Sequence, residues 1–374
     1  MDSNPLLEMS KHSQFQVPIY FDDDQVLSYK KQLINHFTGI IDYLDNINAD
    51  KYGVNIKENV IGKVHRLQVA VLQTLDQYLE GHPAEAYKCF AAAMDDFGMR
   101  EEIHSVHQFK VERQTKLFRI QRNYDPFDPA CAQNGWLKKN RYDLFHPAFE
   151  RRRAVRTTRF SISGYPCLYL SENLVTSYSE CFPDEKDFKG FHAVSFLNNR
   201  PMYFLDMSRN QLTGSKPNLF GGVLPISSDP EGDIAGITES LDIFQLILST
   251  HTKVNYKEVF PGEIYVFKAE YIIPQLLLQW VKQEGLTIDG IRYKSCTGDA
   301  RFPKLTHDHY NYVLPVRGSL ENGFCPSLTH LFATTPVYSY LSTTMETDIS
   351  GFIQSIELDL KKAVCTQLTD TSVR

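Results

Sequence analysis

The sequence of 374 residues lacks the short motifs that mark several large enzyme classes. It contains neither the GxGxxG fingerprint of dinucleotide-binding βαβ units nor the GxxxxGK[ST] loop that holds nucleoside triphosphates. The HExxH pattern of zinc proteases and the GxSxG elbow of serine hydrolases are also missing. These absences argue against a Rossmann or P-loop enzyme, a zinc protease and an α/β-hydrolase.

Paired cysteines and long apolar runs are missing as well. The seven cysteines are odd in number and form no CxxC pair, which favours reduced thiols over a disulfide framework or a zinc site. No stretch approaches eighteen consecutive apolar residues, and the first residues lack the apolar core of a signal peptide. We therefore expect a cytoplasmic protein that does not enter a membrane.

The chain also lacks an excess of positive charge. Its 39 Lys and Arg against 45 Asp and Glu give a net charge of −6, which argues against general binding of nucleic acid. A hydrophobic content of 42% and a charged content of 22% are typical of a soluble globular protein. The length allows two domains.

Three helices are predicted near the N-terminus from apolar residues at helical spacing. The first covers residues 24–47, and the second follows Asn59 and ends where Gly81 occupies a C′ position. Pro83 opens the third, since proline is well accommodated at the first position of a helix. We interpret residues 20–112 as a helical bundle with a structural or regulatory role.

The pattern changes at Lys116, after which short strands alternate with scattered helices. This mixture predicts an α+β fold rather than a regular βαβ succession. The last predicted helix covers residues 346–363. We accordingly divide the chain into an N-terminal helical domain (1–112), a catalytic domain (113–345) and a C-terminal helix and tail (346–374).

Residues 151–180 have the organisation of half an anion-binding cleft. The run RRRAVRTTR (151–159) holds five arginines in nine residues, and paired guanidinium donors match phosphate oxygens. A solvated charged loop explains Arg151 to Arg153 equally well, but explains Arg159, which abuts the following strand, less well. Cys167 to Leu170 then read as a strand, and Ser171 or Asn173 as the N-cap of a helix bearing Glu180.

Several of these segments together resemble the RES-domain family, which is named for its arginine, glutamate and serine. The resemblance covers about residues 115–320. The chain is similar to the variety of the family that has an additional N-terminal helical region. It is carried by Leu117–Arg122, Arg159-Phe160-Ser161, Gly164–Glu172, Glu180, Gly290–Ser295 and Asn311–Pro315. This chain departs from the family at Phe160 and Ser161, where tryptophan and asparagine are usual, and in the residues around Ser295.

The resemblance implies an ADP-ribosyltransferase-like mixed β core with flanking helices, and NAD as the substrate. Family members include toxins of toxin–antitoxin pairs that consume NAD by hydrolysis or phosphorolysis, or that ADP-ribosylate a target. Glu180 would stabilise the oxocarbenium-like state formed when the nicotinamide–ribose bond breaks. Arg119 and Arg159 would bind the pyrophosphate or ribose side. Tyr169 would lie against the nicotinamide, Ser295 would hydrogen-bond NAD, and Asn311 would give polar support.

We expect an NAD-consuming toxin or defence effector that acts as an NAD glycohydrolase or phosphorylase. The first alternative is transfer of ADP-ribose to a protein or small molecule, with residues 208–233 as an acceptor loop. The second is a non-catalytic module that binds a nucleotide or a partner. The third is a helical ribonuclease using the Arg-x4-His pair Arg141 and His146 or the Arg-x6-His pair Arg100 and His107.

The expected partners follow from these functions. They are NAD, a cognate antitoxin or other inhibitory protein, and further copies of the chain. We expect no metal, because the stretch His307-Asp308-His309 has no further ligands at regular spacing. Neither nucleic acid nor a membrane is expected to bind.

Overall fold

The computed structural model describes residues 11–23, 28–46, 60–100, 108–122, 139–182, 190–208, 241, 243–256, 267–282, 287–296, 309–318, 320–340 and 349–368. Two compact units are present, one formed by Met1–His107 and Met207–Trp280, the other by Gln108–Asp206 and Val281–Arg374. The sequence pattern places residues 207–280 in the second domain, whereas the described residues 243–256 and 267–280 belong to the first unit. The boundaries at residues 112 and 345 stay predictions.

Seven α-helices and twelve strands have defined bounds in the described residues, and residues 243–250 are also helical. The α-helices are α1 (Ser28–Asp45), α2 (Ile61–Leu79), α3 (Pro83–Asp96), α4 (Leu174–Cys181), α5 (Ile272–Val281), α6 (Pro326–Leu331) and α7 (Ile349–Lys362). The strands are β1 (Ile19–Asp23), β2 (Gln108–Val111), β3 (Lys116–Arg122), β4 (Cys167–Ser171), β5 (Phe191–Asn198), β6 (Met202–Met207), β7 (Thr252–Tyr256), β8 (Gly290–Lys294), β9 (Tyr310–Pro315), β10 (Phe332–Thr334), β11 (Tyr338–Tyr340) and β12 (Thr366–Gln367). A 3₁₀ helix covers Phe149–Ala154.

The first unit contains the three predicted N-terminal helices. Helices α1, α2 and α3 each bury an apolar stripe at helical spacing, as the sequence pattern requires. The buried side chains include Leu33, Phe37, Ile40 and Leu44 of α1, Val64, Leu67, Val71 and Leu75 of α2, and Phe90 and Met94 of α3. The prediction of a helical N-terminal region is confirmed.

The connection between α2 and α3 contains the glycine and the proline that the sequence predicts at the end of one helix and the start of the next. Gly81 has φ +91°, a left-handed conformation that a side chain would disfavour. The N–H of Gly81 donates to the carbonyl of Tyr78 at 3.1 Å, and the N–H of His82 donates to that of Gln77 at 2.9 Å. This pair of bonds is a Schellman motif that satisfies the last carbonyls of α2. Pro83 is the first residue of α3, as predicted.

The first unit also holds a parallel strand pair that the sequence did not reveal. Strand β1 pairs with β7 from Ile19 opposite Thr252 to Asp23 opposite Tyr256. Nearby, the Tyr29 hydroxyl donates to the carbonyl of Ser249 at 2.8 Å. These contacts join segments more than 200 residues apart, and they explain why residues 243–256 belong to the N-terminal unit.

The second unit is built on a ten-stranded sheet in the order β12-β10-β5-β3-β4-β9-β8-β6-β2, with β11 also paired to β5. Every pairing in this sheet with a described register is antiparallel. Two apolar clusters pack on the sheet, one around Phe145, Phe196 and Phe332, the other around α4 and α7. The α+β class predicted from the sequence is confirmed, while the likeness to ADP-ribosyltransferases stays a prediction.

The strands β3, β4, β9 and β8 are consecutive neighbours near the middle of this sheet. Strands β4 and β9 pair at five positions and β8 and β9 at four, whereas β3 and β4 have a single described pair, Phe118 with Ser171. Beyond this pair the two strands are not matched residue by residue. The side chains of Arg119 and Tyr169 therefore lie where the two strands no longer form a regular ladder.

The helix predicted at residues 346–363 is α7, and in the tail after it Thr366–Gln367 forms β12, which pairs with β10. The six cysteines in the described ranges are free, in agreement with the predicted reduced thiols. In the part of the chain that the structure describes, no helix is both long enough and apolar enough to cross a bilayer.

Gly290 is required by the close approach of β8 and β9. A Cβ atom at this position would lie 2.0 Å from the carbonyl oxygen of Val313, which is backbone and has no room to move aside. We predict that Gly290→Ala lowers the free energy of unfolding by about 1–3 kcal/mol, the usual cost of overpacking. The control is Gly62→Ala in α2, where the nearest atom would be 3.9 Å away. Thermal unfolding with equal midpoints for the two variants would contradict this account.

Candidate active site

Glu180 is exposed to solvent on helix α4, whose residues 174–179 are buried. Its N-cap is Asn173, whose side chain accepts a hydrogen bond from the Thr176 N–H at 2.8 Å. The N–H of Leu174 donates to Glu357 of α7 at 2.7 Å, which satisfies a second free donor at this end. Leu174 is buried and Glu180 is exposed. The helix thus holds the carboxylate at a fixed position on the surface of the unit.

Two side chains from neighbouring strands hold one oxygen of this carboxylate. Oε1 of Glu180 accepts a hydrogen bond from the Ser295 hydroxyl at 2.6 Å and another from Nδ2 of Asn311 at 2.7 Å. The hydroxyl of Ser171 donates to Oδ1 of Asn311 at 2.7 Å, so the amide can present only its NH₂ group to Glu180. Glu180, Ser295 and Asn311, all predicted from the sequence, are in direct contact.

The sheet explains why these residues meet. Asn311 of β9 lies opposite Ser171 of β4 on one side and opposite Tyr293 of β8 on the other. Ser295 directly follows β8, and its N–H donates to the carbonyl of His309 at 2.7 Å. Side chains separated by two residues share one face of a strand, which places Tyr293 and Ser295 on the same side. Residues that are distant in sequence are therefore fixed by strand register.

Arg119 of β3 is a partly buried cation that has no carboxylate partner among the described residues. Its Nη1 atom is buried and has no hydrogen-bond partner among the residues that the structure describes. Burial lowers the pKa of Arg119 to about 10, and the titratable groups acting on it are Cys181 and Tyr169. Burial raises the pKa of Cys181 to about 12 and raises that of Tyr169 further, so both are neutral near pH 7. An uncompensated buried cation is costly, and a bound anion would remove this cost.

Tyr169 and Arg159 both act on the buried side chain of Tyr293. The Tyr169 hydroxyl is hydrogen-bonded to Thr158 at 2.6 Å and to Ser161 at 3.1 Å, which fixes its ring. Burial raises the pKa of Tyr293, as do the nearby Glu180 and Tyr169, while Arg159 opposes this rise. Arg159, Tyr169 and Glu180 therefore all act electrostatically on the same buried phenol. The six predicted site residues thus lie in the second unit, around β3, β4, β8 and β9.

Some residues of the site were not identified from the sequence. Ser171 was considered only as a helix cap, yet Asn173 is the cap and Ser171 orients Asn311 instead. Tyr293 was not selected, although its position two residues before Ser295 on β8 was a usable signal. The residues that depart from the RES pattern also have defined contacts. The ring of Phe160 packs 4.6 Å from that of Tyr293, and Ser161 binds Tyr169.

His146, considered for a ribonuclease, is a buried structural residue. Its Nε2 accepts a hydrogen bond from the Cys325 N–H at 2.9 Å, and Nδ1 contacts the carbonyl of Pro147 at 2.8 Å. Burial lowers the pKa of His146 to about 4, so the ring is neutral near pH 7. Both ring nitrogens are engaged by the backbone, which leaves neither available for proton transfer to a substrate. His107, His307 and Asp308 lie outside the described residues.

The depressed pKa of His146 predicts a loss of stability in acid. In the unfolded chain the pKa is about 6.5, so between about pH 6.5 and pH 4 the unfolded state binds more protons than the folded state. Stability is therefore complete above pH 6.5 and falls as the pH is lowered, by about 2 kcal/mol at pH 5 from this group alone. In thermal unfolding at pH 7 and pH 5, His146→Gln should lose less stability than the wild type. Substitution of the exposed His82 serves as the control, and an unchanged pH dependence in His146→Gln would contradict the assignment.

Comparison with known proteins gives one distant relative. Over 309 residues the chain is 26% identical to "Putative toxin YopC" of Bacillus subtilis (strain 168), a match that covers 78% of this chain. The match covers 62% of that protein's length. No protein-family model matches the chain, and no solved structure is similar to it.

Proposed function

We propose that this chain is an enzyme that cleaves the nicotinamide–ribose bond of NAD and acts as a toxin or defence effector. The observation that carries the proposal is the presence, in one unit, of an exposed, hydrogen-bonded carboxylate, Glu180, and of a partly buried Arg119 for which the described residues supply no carboxylate partner. The resemblance to the RES-domain family supports NAD as the substrate. The similarity to a protein named as a toxin supports the biological role.

Glu180 is proposed to stabilise the positive charge that develops on the ribose. Departure of nicotinamide passes through an oxocarbenium-like state, as in glycoside cleavage, and a fixed carboxylate nearby lowers its free energy. The hydrogen bonds of Glu180 within the described residues go to Oε1. Its other oxygen, Oε2, is therefore the atom that we assign to face the ribose. Because Ser295 and Asn311 hold the carboxylate in advance, little reorganisation is needed during the reaction.

Arg119 is proposed to bind the pyrophosphate of NAD. The guanidinium forms two parallel hydrogen bonds to phosphate oxygens, and such bonds are strong where water is partly excluded. A pyrophosphate would also supply a negative charge that the described surroundings of Arg119 do not. Arg159, which also acts on Tyr293, is proposed as a second contact to the same group or to the ribose.

Tyr169 is proposed to contact nicotinamide with its ring rather than to transfer a proton. Its hydroxyl is already bonded to Thr158 and Ser161, and burial raises its pKa, so the phenol stays protonated. The ring face can attract the positively charged pyridinium of NAD. That attraction weakens once nicotinamide leaves as a neutral molecule, which favours release of the product.

The acceptor of ADP-ribose distinguishes the enzymatic alternatives. Water gives free ADP-ribose, inorganic phosphate gives its phosphorylated form, and a protein or small molecule gives a covalent adduct. The acceptor loop considered for transfer lies, apart from Ser208, outside the described residues. The non-enzymatic alternative is a module that binds a nucleotide or a partner, and it predicts binding of NAD without turnover. An inhibitory partner protein is part of the proposal, since unrestrained loss of NAD would harm the host cell.

Loss of the Glu180 charge should remove most of the activity. We predict that Glu180→Gln lowers kcat for nicotinamide release by about 100-fold or more, the usual effect of removing one stabilising group from a transition state. The amide keeps the size of the side chain, so KM should change little. Glu112→Gln is a matched control, because Glu112 is exposed and lies outside the site. Purified variants are compared by chromatography of NAD and nicotinamide, and equal rates for all three proteins would refute the role of Glu180.

The contact between Ser171 and Asn311 provides a test of geometry. Ser171→Ala removes the bond that orients the amide, and we predict a fall in kcat of about tenfold, corresponding to one hydrogen bond. Because both residues act on Glu180 through one chain of bonds, the effect of Ser171→Ala in an Asn311→Ala background should be much smaller. Steady-state kinetics of the two single variants and the double variant measure this coupling. Fully additive losses would show that Ser171 does not act through Asn311.

A further inference from the structure

A second group of cations lies in the same unit, outside the carboxylate site. Arg152 of the 3₁₀ helix, Lys282 just after α5 and Arg317 just after β9 come together around Tyr165. Nζ of Lys282 lies 4.5 Å from the centre of the Tyr165 ring. The charges of Arg152 and Arg317 both act on Tyr165 and on Lys282. Three separate segments of the chain thus each contribute one cation near Tyr165.

Hydrogen bonds hold these segments in position. The Tyr165 hydroxyl donates to the carbonyl of Val316 at 2.6 Å, next to Arg317. The guanidinium of Arg317 donates to the carbonyl of Ile288, and its backbone N–H contacts the sulfur of Cys325 at 3.3 Å. The cations are therefore presented by fixed backbone rather than by freely moving loops.

The 3₁₀ helix that carries Arg152 is fixed in the same way. The N–H of Phe149 donates to the carbonyl of Gly323 at 2.9 Å, and the N–H of Gly323 donates to Glu150 at 2.8 Å. The guanidinium of Arg152 lies over the Phe149 ring at 4.9 Å. Arg152 is half-buried, whereas Arg151 and Arg153 on the same helix are exposed. Within the RRR run, Arg152 is therefore the arginine that contributes to the cluster.

Among the described residues, Arg152 and Arg317 are the cations that act on Lys282, and no described carboxylate acts on it. In the described part of the chain, neither Lys282 nor Arg317 forms an ion pair with a carboxylate. The nearby Glu150 is bound to the N–H of Gly323. Burial and the two arginines lower the pKa of Lys282. The thiol of Cys167, also close, is neutral near pH 7 because burial raises its pKa to about 12. Like charges held together in this way favour an anion from solution.

We propose that Arg152, Lys282 and Arg317 form a phosphate-binding site, separate from the carboxylate site of Glu180. Two planar guanidinium groups and one ammonium match a tetrahedral, doubly charged anion better than a halide. Cys167 and Tyr169 point to the same face of β4, about 7 Å apart along the strand. A phosphate at the cluster would thus lie beside the strand that carries Tyr169. Its source is either free phosphate or a phosphomonoester group of a nucleotide.

Direct binding measurements test this proposal without any NAD turnover. Isothermal titration of the full chain with inorganic phosphate, at constant ionic strength in chloride, should give saturable binding at one site. Lys282→Gln and Arg317→Gln should each weaken this binding by about tenfold or more, the effect of losing one charge-assisted hydrogen bond. Arg317→Lys keeps the positive charge but loses the paired N–H donors of the guanidinium. This variant should therefore bind phosphate more weakly than the wild type and more tightly than Arg317→Gln. Arg153→Gln, an exposed arginine on the same 3₁₀ helix, should leave binding unchanged.

The outcomes separate this site from the proposed enzymatic one. Glu180→Gln should bind phosphate like the wild type, so failure of NAD cleavage would leave the phosphate site standing. Titration with adenosine 2′-phosphate, adenosine 5′-phosphate and adenosine identifies the source, because a nucleotide site should bind one phosphate ester more tightly than free phosphate. The proposal is overturned if phosphate does not bind saturably, or if Arg153→Gln weakens binding as much as Lys282→Gln.

Discussion

The candidate site depends on two hydrogen bonds that Ser295 and Asn311 donate to one oxygen of Glu180. These bonds link helix α4 to strands β8 and β9, which are more than 100 residues away in sequence. The same carboxylate remains exposed because α4 buries its opposite side against the sheet. A carboxylate that is both fixed and accessible is the arrangement needed to stabilise a developing positive charge.

The second constraint is the partly buried charge of Arg119. Burial of a guanidinium without a carboxylate costs stability, and Arg119, which has no such partner among the described residues, lies in β3 between the buried side chains of Phe118 and Ile120. Such strain is typical of a binding site, where the ligand supplies the missing partner. Arg119 and Glu180 have opposite charges and are not paired with each other in the described contacts. A substrate with a cationic ring, a ribose and a pyrophosphate could use both.

Local sequence patterns predicted the elements that carry the site, but not every contact within it. The cap at Asn173, the position of Glu180 on α4 and the placement of Ser295 beyond β8 follow from short-range rules. The pairing of β1 with β7 and the hydrogen bond from Ser171 to Asn311 join residues far apart in sequence. Local patterns of apolar and polar residues therefore cannot predict them. Similarly, the arginine run was visible, whereas its partners Lys282 and Arg317 come together only through folding.

The most direct test is an experimental structure of the chain with carba-NAD, an analogue whose nicotinamide–ribose bond is not readily cleaved. The account predicts that the nicotinamide ribose lies against Glu180, with the pyrophosphate on Arg119 and the nicotinamide against Tyr169. An analogue bound away from Glu180 and Arg119, or no binding at concentrations that saturate NAD-cleaving enzymes, would contradict the central claim.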